Sequence, residues 1–178
     1  MLAAFDKSDA ATDMFFFNEH YVIKPPKSHV EFRWHRDDDE QLAMCVHRES
    51  TQTYVSVWCA LDDVTMVNGA LRFVSLNVLP ESDKDNAESL KFHASGPVTA
   101  AAGDMVLFLS NVWHCSSSNE SNGVRRAFYA QYSRETITSR PKDLSPLNFA
   151  IPCTTASAAS VVNGSAEARA TKSKHFEL

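Results

Sequence analysis

The chain reads as a mainly β protein, an antiparallel sandwich or barrel. Two observations predict this: short runs of β-branched and aromatic residues recur between turn residues, and no long segment carries helical periodicity. A third sets the scale. At 178 residues, with 44% hydrophobic and 22% charged residues, the chain has the composition of one globular domain with a real core.

The elements follow in order. Residues 1–13 carry Asp6 and Asp9, lack the apolar stretch of a signal peptide, and read as a flexible leader. Phe15 to Ile23 is a strand that stops at Lys24-Pro25-Pro26, because proline cannot continue a ladder. Thr51 to Leu61 alternates, with Thr53, Val55, Val57 and Cys59 on one face and Tyr54, Ser56, Trp58 and Ala60 on the other. Asp62-Asp63 and Asn68-Gly69 supply turns before a short strand from Ala70 to Val74. Gly103-Asp104 turns the chain into a strand from Met105 to Leu109, and Arg125 to Tyr132 is a further strand with period two. These place one domain at 14–153. The stretch 154–178, mostly Ala, Ser, Thr, Asn, Gly and charge, reads as a disordered tail.

Charge and cysteines exclude several function classes. Seventeen Lys+Arg against 22 Asp+Glu give a net charge of -5, which disfavours nucleic-acid and polybasic membrane-surface binding. The apolar runs are too short to span a bilayer. The four cysteines (Cys45, Cys59, Cys115, Cys153) have no C-x-x-C spacing, and a reducing compartment is the simpler setting. With no targeting signal in view, the cytoplasm is the expected location. The sequons at Asn119 and Asn163 read as chance, and nothing in the pattern sets an oligomeric state.

Three signals carry chemistry. In Trp34-His35-Arg36-Asp37, read as extended, His35 and Asp37 point to the same side. Asp38 is an alternative to Asp37, which the spacing favours. His114 stands far downstream, directly after an apolar strand. Two imidazoles and a carboxylate leave three open positions on one side of a metal, as suits a non-haem Fe(II) oxygenase. Arg125, eleven residues beyond His114, starts a strand and suits bidentate carboxylate binding. Each signal alone has a bland reading: a solvated acidic loop, a core histidine, a surface Arg125-Arg126 pair.

The order KPP…WHRD…WCALDD-x-T-x-x-NG-x-L…AGD-x-x-x-F…WH-x-S-x-x-N-x-S-x-x-x-RRA-x-x-x-Q-Y, running from about Phe15 to Tyr132, resembles the phytanoyl-CoA dioxygenase family. The resemblance implies a double-stranded β-helix, or cupin-like jelly roll, using Fe(II) and 2-oxoglutarate to hydroxylate a small-molecule substrate. It implies that His35, Asp37 and His114 are the iron ligands. Arg125 and Ser116 would hold the distal carboxylate of 2-oxoglutarate, Trp58 would line the cosubstrate pocket, and His20 falls at a pocket-lining position. The chain departs from the family after Asn68-Gly69-Ala70-Leu71, where Arg72-Phe73-Val74 replaces a Pro-Gly-Ser-His turn. It also shows little or none of the helical region that usually precedes the core. Retention of Asp37 disfavours halogenation. Two rival readings stand beside hydroxylation: a truncated, catalytically weak or silent jelly-roll binding protein that keeps the metal site, and a Zn²⁺ hydrolase at the same triad, in which Arg125 has no task.

Overall fold

The structure, a computed structural model, describes residues 14–44, 52–78, 86–134, 137 and 151–153. The expected leader at 1–13 and tail at 154–178 lie outside the described residues. Among the described residues, eight strands and two short helices run in the order β1 (Phe15–Lys24), β2 (Phe32–His35), α1 (Asp37–Met44), β3 (Val55–Ala60), β4 (Leu71–Phe73), α2 (Ala87–His93), β5 (Met105–Leu109), β6 (His114–Ser116), β7 (Arg125–Ser133) and β8 (Ile151–Pro152). They form two antiparallel sheets, β5-β3-β7-β1-β8 and β2-β6-β4. This is the expected jelly-roll class.

The period-two reading of β3 holds. Tyr54, Ser56, Trp58 and Ala60 are buried, while Val55, Val57 and Cys59 are half-buried. β7 buries Arg125, Ala127, Tyr129, Gln131 and Ser133 by the same rule, with Ala130 buried beside them. The main core lies between the sheets and joins Trp58, Ala60, Phe108, Ala127 and Tyr129 to Leu71 of β4. At about 25 cal/mol per Å² of apolar surface, burying one large side chain there is worth about 2–3 kcal/mol. A second cluster, Phe17, Tyr54 and Ile137, packs apart from it.

One local reading is corrected. The strand carrying Trp34 ends at His35, and Asp37 opens α1 rather than continuing an extended segment. Asp37, Asp38, Asp39 and Glu40 fill the first helical turn, where negative side chains are favoured by the exposed N–H groups and the helix dipole. The acidic run is therefore a helix start, not a solvated loop. His114, expected just beyond an apolar strand, lies on a strand of its own. β6 is the middle strand of the small sheet, with His114 opposite His35 on one side and Phe73 on the other. No helix among the described residues is long and apolar enough to cross a membrane.

Candidate metal centre and anion pocket

The pairing of β2 with β6 places His35 directly opposite His114, their rings 4.2 Å apart between centroids. The strand-to-helix corner then swings Asp37 against both. Nε2 of His35 lies 3.9 Å from Asp37 Oδ1, and Nε2 of His114 lies 3.6 Å from the same oxygen. One ligand atom from each residue falls within 4.8 Å of the others, close enough to share one metal ion.

Backbone contacts decide which nitrogens face inward. His35 Nδ1 lies 2.7 Å from the Arg33 carbonyl, and His114 Nδ1 lies 3.0 Å from the Val112 carbonyl. A carbonyl only accepts, so each Nδ1 must carry the proton and each Nε2 presents its lone pair. Burial pulls His114 down to about 4, against the opposing pull of the Asp37 charge, so its ring is neutral near pH 7 and suited to a metal. Asp37 is equally oriented. Its Oδ2 accepts hydrogen bonds from the Ser56 and Tyr129 hydroxyls, which leaves Oδ1 aimed at the two imidazoles. Burial, and then the neighbouring Asp37 charge, push the Tyr129 hydroxyl far up, so it stays protonated as a donor.

The three residues sit in the wall of a pocket of about 100 Å³. The same wall holds Trp58, Ser116, Arg125 and His20, so every site residue expected from the sequence meets at one cavity. His20 lies on the ring of Tyr129, its cross-strand partner, at 4.9 Å. Arg125 is fully buried. Its Nη2 donates to the Gly69 carbonyl at 2.7 Å and its Nε to the Asn68 carbonyl at 3.4 Å. Trp58 stacks on the guanidinium at 5.4 Å. Among the described residues, the buried Nη1 has no hydrogen-bond partner. A carboxylate is the group that suits such a donor, because burying an unpaired charged donor costs several kcal/mol, on the order of 2–5. The residues therefore fit a 2-oxo acid with a distal carboxylate, and the triad fits a divalent metal.

Three residues of this arrangement were not singled out from the sequence. The sequence places Ser56 on a strand face with Trp58, and Tyr129 on one with Arg125, without marking either as part of the site. Period two alone could have drawn them in. Lys24 was read only as the residue before the prolines. It is fully buried, and Nζ donates to the carbonyls of Ser116 (3.2 Å) and Ser117. Asn119 explains the N-x-S motif. Its buried amide donates to the carbonyls of Lys24, Pro25 and Gly123, which ties the end of β1 to the turn that launches Arg125. At 0% exposure it cannot accept a glycan in the folded state.

A two-sheet jelly roll with a His-x-Asp pair, a distant histidine and a buried arginine around one cavity defines a class, the cupin-like folds with a facial-triad metal site. Within it, the chain belongs to the phytanoyl-CoA dioxygenase (PhyH) family, whose profile matches residues 2–127. Among solved structures, AviO1 from Streptomyces viridochromogenes is 26% identical with a TM-score of 0.55, over 67% of this chain and 51% of that one. EctD from S. alaskensis, solved with 2-oxoglutarate and 5-hydroxyectoine, is 23% identical with a TM-score of 0.53, over 68% of this chain and 44% of that one. A nickel complex of ThoJ, a non-haem monooxygenase, is 24% identical with a TM-score of 0.50, over 68% and 44%. The chain thus spans about half, or less, of the length of these three structures. No curated protein matches it at a significant level.

Proposed function

We propose that the protein is an Fe(II)- and 2-oxoglutarate-dependent dioxygenase that hydroxylates a small organic molecule. The observation that carries this reading is the shared aim of His35 Nε2, His114 Nε2 and Asp37 Oδ1, with the unpartnered Arg125 Nη1 in the same cavity. When bound, iron, 2-oxoglutarate and O₂ supply the oxidation, with succinate and CO₂ released as one oxygen atom enters the substrate C–H bond.

The chain's own residues do the rest. His35 and His114, held by backbone carbonyls, present Nε2 in a fixed direction, and the buried His114 does so as a neutral ring. Asp37 contributes the carboxylate of the triad, with Glu40 3.8 Å from His35 Nε2 at the rim, and Ser56 and Tyr129 keep the Asp37 carboxylate from swinging. Arg125 binds the distal carboxylate, with Ser116 beside it. Trp58 orients the guanidinium and, with Leu71 and Phe32, excludes water from that end. A Zn²⁺ hydrolase at this triad leaves Arg125 without a task.

A second reading is a jelly-roll binding protein that keeps the metal site with little or no turnover. Anaerobic titration with Fe(II) and then 2-oxoglutarate, followed by O₂ and succinate measurement, separates the two. Oxygen-dependent succinate supports the dioxygenase. Binding of both without succinate supports the second reading, and Arg125→Ala should weaken 2-oxoglutarate binding at least ten-fold, about 1.4 kcal/mol.

A further inference from the structure

Beyond the triad and the Arg125 end, the cavity is lined by Asn18, His20, Gln131 and Glu40. Hydrogen-bond direction along this wall is set from Asp37. The Ser56 hydroxyl gives its proton to Oδ2, so its oxygen is left to accept from Gln131 Nε2, at 3.4 Å. Gln131 therefore turns its carbonyl to Asn18, its cross-strand partner, whose Nδ2 donates to it at 2.8 Å. The chain of bonds ends on Asn18 Oδ1, an acceptor with no donor among the described residues. Glu40 brings a second acceptor from another element. It follows Asp37 by three residues on α1, so the two carboxylates share a helix face. Glu40 Oε1 lies 3.8 Å from His35 Nε2, and Asp37 Oδ1 lies 3.9 Å from the same nitrogen. Yet Glu40 is not one of the three residues whose ligand atoms gather within 4.8 Å. Its side chain is 62% exposed, and among the described residues no lysine or arginine pairs with it. The adjacent Asp39, by contrast, is held by Arg36 at 2.8 Å. His20 supplies no cation either. Burial keeps it below its ordinary value, against the pull of Asp37 and then Glu40.

We infer that this wall receives a small organic amine as the substrate, with Glu40 as counter-ion to its ammonium group and Asn18 Oδ1 as a second acceptor. This rests on the dioxygenase reading above. The charge balance among the lining groups favours a cation. A divalent metal offsets a dicarboxylate, Arg125 offsets Asp37, and Glu40 is left over. An ammonium carries three donors and no acceptor, which suits a wall that offers two acceptors and a negative charge. A carboxylate there meets a like charge and finds no donor in either group, so the wall selects against acids as well as for amines. Glu40 stands at the solvent rim, where water and salt screen it, so the selection is several-fold rather than absolute.

The test compares two probes of similar size and opposite charge, n-butylammonium and butyrate. Each is titrated without oxygen into protein loaded with Co(II) and 2-oxoglutarate. Paramagnetic broadening of the probe's proton NMR signals reports binding close to the metal and gives a Kd. The wild-type protein should bind n-butylammonium at least about five-fold more tightly than butyrate. Glu40→Gln should bring the two within about two-fold, and Glu40→Lys should reverse their order. Asn18→Leu should weaken n-butylammonium about three-fold. Equal affinities, tighter butyrate, binding of neither probe, or a preference that survives Glu40→Gln overturns the inference alone. So does a ten-fold loss of Co(II) affinity in Glu40→Gln, which would make Glu40 a metal ligand instead. A wild-type protein that takes up no 2-oxoglutarate overturns the dioxygenase reading, and this inference with it. The wild-type comparison needs no variant to fold.

Discussion

The carboxylate of Asp37 is shared between two tasks, one per oxygen. Ser56 and Tyr129 hold Oδ2, while Oδ1 faces the imidazoles. Ser56→Ala and Tyr129→Phe should therefore each weaken divalent-metal binding about 10–100-fold without touching a ligand. Calorimetric titration with Ni(II) checks this, and unchanged affinity in both variants contradicts it. Gly69 is the second sensitive residue. Its φ of +92° disfavours any side chain, and a Cβ would also meet the Ser117 carbonyl at 2.9 Å. Gly69→Ala should cost at least ~2 kcal/mol in urea unfolding. At this scale much was legible in the sequence. Imidazole, carboxylate and guanidinium chemistry singled out His35, Asp37, His114 and Arg125. Lys24 was not legible, because a lysine is exposed by default and only the ladder register reveals its burial beside Arg125.

Among the elements, the long strands followed their patterns and the short ones did not. β3 and β7 have enough residues to show alternation, and β1 and β5 enough consecutive apolar or aromatic residues to read as strands. β2 and β6 have four and three, too few to display a period, yet they carry both histidines. The helix start at Asp37 was hidden for a related reason: its signal is the acidic first turn rather than an apolar stripe. The segment between β6 and β7 is held by Asn119 more than by packing. Replacing it leaves the carbonyls of Lys24, Pro25 and Gly123 without this donor. Asn119→Ala should therefore cost about 2–3 kcal/mol and also weaken 2-oxoglutarate binding, since it loosens the entry to Arg125. A loss of stability with intact cosubstrate affinity would show that the turn does not set the arginine.

For the molecule as a whole, the buried cations tie stability to pH. Burial, with the Arg125 charge second, lowers Lys24 from 10.5 to about 8. Between those values the unfolded chain binds the proton and the folded chain does not, so this group's contribution to stability rises with pH across the window. The stability of the wild-type protein relative to Lys24→Met should accordingly improve between about pH 8 and pH 10, read by urea unfolding. A steady decline contradicts the assignment. Metal binding acts in the same currency. Ni(II) at about 100 times its Kd should add about 2.7 kcal/mol to the folded state. That is a rise in Tm of about 5–10 °C for a chain of this size. The most direct measurement is a crystal structure of the protein with Fe(II) and 2-oxoglutarate, grown without oxygen, with anomalous data at the iron edge. One peak bonded to His35 Nε2, His114 Nε2 and Asp37 Oδ1, with the distal carboxylate on Arg125, is the result this account predicts. Iron bound elsewhere, or held through either Nδ1, would contradict it.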